Sequence, residues 1–154
     1  VSAARTWRVV GVQDGDSLTC LDEVGGQQKV VLAGIDAPEI GQDYGKQSRD
    51  ALADIVFGRA VQVIEEGRDR QGRTIAKVLV DGDDINRRMV AGGMAWHYSA
   101  YSTDPDLDSL EAAARVAGRG LWSQPSPVAP WDYRRSAAAD TTVASSAEYP
   151  PKTG

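Results

Sequence analysis

Residues 6–35 read TWRVVGVQDGDSLTCLDEVGGQQKVVLAGI, and their punctuation decides the fold. Residues 6–12 (TWRVVGV) are rich in β-branched and aromatic side chains and predict a strand. Asp14-Gly15 is a hairpin turn signal, and residues 17–21 predict the return strand. Gly25-Gly26 marks a second turn, followed by a third strand over residues 28–35 that is apolar on both faces.

Beyond this stretch the period changes. Over residues 45–57 the apolar Ala51, Leu52, Ile55 and Val56 recur at helical spacing, and Gly58 supplies a stop. Strands are predicted over residues 60–64 and 74–80, separated by the polar turn RDRQGR. Helices are predicted over residues 85–91 and 107–116. Five short strands with a helix inserted after the third predict a mainly β protein of the α+β class. The expected architecture is a five-stranded Greek-key barrel of the OB type with about three helices.

The remaining composition bounds the organisation. The 154 residues suit one domain and a tail, and the 42% hydrophobic share supports a core. The expected limits are a domain over residues 1–122, a proline-rich closing segment over 123–135 that can dock through Pro130-Trp131, and a flexible tail over 136–154 rich in Ala, Ser and Thr. No apolar run approaches the roughly 20 residues of a membrane helix, so no membrane partner is expected. A lone cysteine, Cys20, excludes an internal disulfide and cysteine-cluster metal sites, and is expected in the core. The single His97 excludes multi-histidine sites and is expected to be a packed residue. A net charge of −5 argues against a broad basic nucleic-acid footprint.

Candidate chemistry lies in three places. Asp14-Gly15-Asp16 alone is weak, because solvated turn acids have the same pattern. In GIDAPE, residues 34–39, an apolar strand ends at Asp36, and Pro38 restricts Ala37 to extended backbone. Asp36 and Glu39 therefore leave the sheet together, where burial is costly unless they are neutralised. Arg68, Arg70 and Arg73 supply positive charge from one turn. Together, Asp16, Asp36 and Glu39 predict an acidic divalent-metal site.

The ordered motifs VQDGDSL, VVLAGIDAPE, RDRQGRTIAKV, LVDGDDINRRMVAGGMAW and AAARVAGRGLW resemble the staphylococcal nuclease (thermonuclease) family from about Trp7 to Trp122. The segment SQPSPVAPWDYRR is similar to the closing segment of its bacterial stand-alone members. The resemblance implies an OB barrel and Ca²⁺-dependent cleavage of single-stranded DNA or RNA with little sequence preference. By the same resemblance Asp16 and Asp36 are metal ligands, with the backbone carbonyl of Ala37. Glu39 activates or positions the attacking water, Arg73 binds the scissile phosphate, and Arg70 holds a neighbouring one. A monomer that is secreted or periplasmic is expected; the start at Val1 rather than Met fits removal of an upstream segment.

Two positions depart from that pattern. Val31 stands where the family has its second catalytic arginine, five residues before Asp36, and Gln71 replaces an expected aromatic residue. Loss of one preorganised donor typically costs about 10²–10³ in rate. Lys29 lies on the same strand face as Val31, about 6.5 Å away, and is a candidate substitute lacking the bidentate fork. Weakened catalysis is therefore expected. The alternatives are a non-catalytic binding or interaction module of the same fold, and a phosphodiesterase acting on another substrate.

Overall fold

The computed structural model describes residues 4–138. The elements in chain order are β1 (Arg5–Asp14), β2 (Ser17–Leu21), β3 (Gln27–Leu32), β4 (Ile35–Asp36), α1 (Gly45–Val56), β5 (Ala60–Arg68), β6 (Thr74–Val80), β7 (Asp83–Asp84), α2 (Ile85–Ala91), β8 (Trp96–His97), α3 (Pro105–Ala117), a 3-10 turn (Gly120–Ser123) and α4 (Pro130–Ala138).

Antiparallel pairing joins β3 to β2, β2 to β1, β1 to β5, and β5 to β6. Parallel pairing of β3 with β6, with Val31 opposite Ile75, then closes the sheet. The result is a closed five-stranded barrel with helices, an α+β fold of the OB type. Closure removes the sheet edges at which other chains could pair.

Alternation along the strands fills the barrel. Trp7 and Val9, Leu18 and Cys20, Val30 and Leu32, Val61 and Val63, and Ala76 and Val78 enter one core. Leu52 and Val56 of α1 and Ile85 and Met89 of α2 pack onto it. Each fully buried aliphatic side chain of this size contributes about 1.5–3 kcal/mol. Burial pushes the Cys20 thiol up to about 12, which keeps it in the unreactive thiol form.

One expectation is corrected. The third strand does not run through residue 35. It ends at Leu32, the chain turns through Gly34 at φ +80, and Ile35–Asp36 pairs with β8 instead. Asn86 holds this break: its Nδ2 donates to the carbonyls of Ala33 and Ala76, and its Oδ1 accepts from Val78 N. The described residues contain the expected three helices, α1, α2 and α3, and one more. The additional one, α4, begins at Pro130, a residue suited to the first helical position because its missing N–H would be unsatisfied there anyway. It runs through Ala138, across the boundary placed at residue 135. The rest of the expected tail, residues 139–154, lies outside the described residues.

An aromatic cluster seats α4. Trp131 stacks on Tyr98 with centroids 5.3 Å apart and planes 4° from parallel, and meets Trp96 edge-on at 5.4 Å. Trp96 in turn packs on Trp122 at 4.5 Å. The Arg115 guanidinium lies over the Trp122 ring at 4.1 Å. Stacked aromatic pairs and a cation over an indole each add roughly 0.5–1.5 kcal/mol beyond area burial.

Candidate active site

The β1–β2 turn builds one wall of the site. Asp14 Oδ1 accepts from Asp16 N at 3.1 Å and from Ser17 Oγ at 2.8 Å, which fixes the two-residue turn. Asp16 Oδ2 accepts from Ala37 N at 2.9 Å. This bond joins the turn to the end of β4, and Asp36 follows from it as a neighbour. Asp16, Asp36 and Glu39 are each 1% exposed. The structure thus brings together Asp16, Asp36, Ala37 and Glu39.

Glu39 sits in a loop tied to itself. Gln42 N donates to the Glu39 carbonyl at 2.8 Å, and Glu39 N donates to Gln42 Oε1 at 3.1 Å. The same Gln42 side chain donates through Nε2 to the Val128 carbonyl at 2.5 Å. One residue therefore links the Glu39 backbone to the segment that leads into α4.

Arg73 is held by Asp69, whose side chain is fully buried. Asp69 Oδ1 accepts from Gln71 N and Arg73 N, and its Oδ2 accepts from Arg73 Nε at 2.5 Å. The Arg73 side chain is 14% exposed, while Arg70 on the same turn is exposed. Replacing Asp69 by Ala removes all three bonds. If Arg73 binds the scissile phosphate as the family resemblance implies, the expected result is a kcat lowered about 10²-fold, the usual cost of misplacing a reacting group by about 1 Å. Steady-state cleavage rates check it, and a parent-like kcat would exclude the positioning role.

Val31 is wholly buried, paired with Ser17 on β2 and Ile75 on β6. Lys29 lies opposite Thr19, and its Nζ donates to Thr19 Oγ1 at 2.8 Å. His97 is buried, with Nδ1 3.0 Å from Asp108 Oδ1 and Nε2 2.9 Å from Ser102 Oγ, and it fastens β8 to the start of α3.

The residue that the sequence reading missed is Arg134. Its Nη1 donates to Glu39 Oε2 at 2.7 Å and to Asp36 Oδ1 at 3.1 Å. Its Nη2 donates to Asp36 Oδ2 at 2.7 Å and to Tyr98 Oη at 3.4 Å. Burial opposes its charge, but the hydrogen bonds and negative charges of Asp36 and Glu39 outweigh burial and raise its pKa. Burial, then the charge of Asp36, push the Tyr98 hydroxyl up to about 12. The Trp-Asp-Tyr-Arg-Arg run was a usable signal only in part. It marked a docking tryptophan, but nothing in it indicates which arginine turns inward.

The donor set fits a hard cation. Asp14 Oδ2 is buried with no hydrogen-bond partner among the described residues, directly beside the Asp16 turn. Carboxylate and carbonyl oxygens are the ligands that Ca²⁺ takes, with water completing the shell. Among the described residues no three His, Cys, Asp or Glu side chains gather as a metal-binding group. The oxygens that would hold a cation here are those of Asp16, Asp36 and the Ala37 carbonyl.

The family profile described as staphylococcal nuclease homologue matches residues 29–124, more than half of the chain. The chain belongs to the staphylococcal nuclease family. Relatives extend the match over most of its length. An uncharacterized endonuclease of Haemophilus influenzae is 43% identical over 130 residues, covering 84% of this chain and 73% of its own. An uncharacterized endonuclease of Escherichia coli is 45% identical over 131 residues, covering 82% and 83%. A micrococcal nuclease of Shigella flexneri is 41% identical over 140 residues, covering 83% and 79%. The matched family segment contains Asp36, Ala37, Glu39, Arg70 and Arg73. It contains neither Asp16 nor Arg134.

Proposed function

We propose that this member of the nuclease family is a Ca²⁺-dependent phosphodiesterase. Its substrates are single-stranded or frayed DNA and RNA, cleaved with little sequence preference. The observation supporting this reading is the bond from Ala37 N to Asp16, which ties the buried Asp16 to the strand end that carries Asp36, with the buried Glu39 in the loop that follows.

In this reading Asp16, Asp36 and the Ala37 carbonyl hold the cation. Ca²⁺, when bound, supplies Lewis-acid stabilisation of negative charge on the phosphoryl oxygen. Glu39 accepts a proton from the attacking water at its carboxylate; as the water oxygen bonds to phosphorus, the P–O bond to one sugar oxygen breaks, and that oxygen leaves as the alcohol after taking a proton from solvent. Arg73, pinned by Asp69, donates to the phosphate oxygens as charge develops on them. Arg70 holds a neighbouring phosphate from the exposed side of the turn. Lys29 remains a candidate for the missing second cation, at the cost of its bond to Thr19.

The net charge of −5 predicts weak, salt-sensitive binding of a polyanion. Two carboxylates also make a low-affinity Ca²⁺ site, in the roughly 10⁻⁴–10⁻³ M range of extracellular modules. That range suits a secreted or periplasmic protein.

The test is cleavage of single-stranded DNA and RNA across a Ca²⁺ titration, with a chelator control. Expected is activity with a midpoint near 10⁻⁴–10⁻³ M Ca²⁺ and none in chelator. Cleavage that persists unchanged in chelator overturns the metal assignment. No cleavage at any Ca²⁺ concentration, with Ca²⁺ still bound, favours the non-catalytic module.

A further inference from the structure

Arg134 enters the carboxylate cluster from α4, outside the matched family segment and 98 residues from Asp36 in sequence. We infer that Arg134 is a catalytic residue, the guanidinium that binds the scissile phosphate from the closing helix where the barrel wall presents only Val31. This rests on the nuclease reading above and deepens it.

Placement is the first support. Arg134 hydrogen-bonds both Asp36, assigned to the cation, and Glu39, assigned to the water. A group that touches both stands beside the residues assigned to the cation and to the water. Its side chain is still 15% exposed, so a substrate can reach it from solvent.

The chemistry of the fork is the second. A guanidinium presents paired N–H donors that match two oxygens, and carboxylate and phosphate offer the same bidentate geometry. In the free protein Asp36 occupies that fork through both of its oxygens. With Asp36 engaged by a cation, the Arg134 donors that Asp36 now accepts from would be open to a phosphate of the same bidentate shape.

The third is the support built around it. Trp131 stacks on Tyr98, Gln42 holds the Val128 carbonyl, and Tyr98 Oη accepts from Nη2. An arginine that merely neutralised stray acids would need no such framework. Preorganised donors are what transition-state stabilisation requires. The alternatives on the barrel wall are poorly placed: Val31 has no charge, and Lys29 is turned to Thr19.

The full chain is compared as parent, Arg134→Ala, Arg134→Lys and Lys29→Ala. Each is assayed on single-stranded DNA with Ca²⁺, with thermal melting to check the fold. Arg134→Ala is expected to lose about 10²–10³ in kcat, with a smaller change in KM. Added methylguanidinium is expected to restore part of that rate. Arg134→Lys keeps the charge and loses the fork, so it stays folded and loses at least about tenfold. It decides the matter if the alanine variant does not fold.

Arg134→Ala cleaving at the parent rate or faster overturns the inference, and faster cleavage would make Arg134 a plug. Loss of activity in Lys29→Ala with Arg134→Ala unaffected overturns it in favour of Lys29. A parent that cleaves nothing removes the nuclease reading and this inference together. An active parent with an indifferent Arg134 removes only the inference.

Discussion

Glu39→Gln is expected to lower kcat by about 10²–10⁴, the usual contribution of a positioned general base, with the fold retained. Gln has nearly the same shape as Glu, so the tight packing of a side chain only 1% exposed is preserved. The backbone exchange with Gln42 uses only main-chain atoms of residue 39 and survives the change. What is lost is the capacity to take a proton and one ionic contact with Arg134. Arg134 keeps two hydrogen bonds to Asp36, so the closing helix stays docked. Single-turnover cleavage of single-stranded DNA at saturating Ca²⁺ measures the effect. A parent-like rate would remove Glu39 from the chemistry and leave it only as a partner for Arg134.

The second large effect concerns a residue with no functional group. Gly45→Ala is expected to destabilise the protein by about 3 kcal/mol, the upper end of ordinary overpacking costs. Helix propensity alone points the other way, because Ala at the start of α1 would gain up to about 1 kcal/mol over Gly. The close approach decides the sign. A Cβ on Gly45 would lie 1.9 Å from the Glu39 carbonyl oxygen and 2.7 Å from its carbonyl carbon. Both are backbone atoms, so the Glu39 loop must move. A thermal melt should drop by about 10 °C, taking roughly 2–4 °C per kcal/mol at this size. Activity should fall with it, beyond what unfolding explains, because the displaced loop carries Glu39. An alanine variant melting at or above the parent would show that the loop yields without cost.

Much of this architecture was legible in the sequence, and for local reasons. The Gly15-Asp16 turn, the alternation of Trp7 with Val9 and of Val61 with Val63, and the helical spacing of Leu52 and Val56 are short-range patterns. Asp16 could be read as a turn acid and Asp36 as a strand-end acid because turn signals and proline placement are local, with Glu39 in the loop that follows. The break after Leu32 was not legible. Nothing in the apolar run announces that Asn86, 53 residues away from Ala33, will take over the backbone groups. The anchoring of Arg73 by Asp69 was hidden for a different reason. An acid between arginines looks like solvated charge until its burial is known. Arg134 was the hardest. Arg134 and Arg135 are adjacent and chemically alike, yet one reaches Asp36 and the other pairs with Asp132 at the surface. Only the helical phase of α4, set by the seating of Trp131, separates them.

The bond from Arg134 to Asp36 also has a consequence for the timing of biogenesis. Synthesis proceeds from the N-terminus, and the strands of the barrel are complete by Val80, with α1 and α2 following or inserted among them. The helix that carries Arg134 leaves the ribosome dozens of residues later. During that interval the barrel can close while its acidic pole still lacks the guanidinium. If Arg134 is required for cleavage, a nascent chain with a closed barrel is still without that group, and it gains activity only once α4 has emerged and docked.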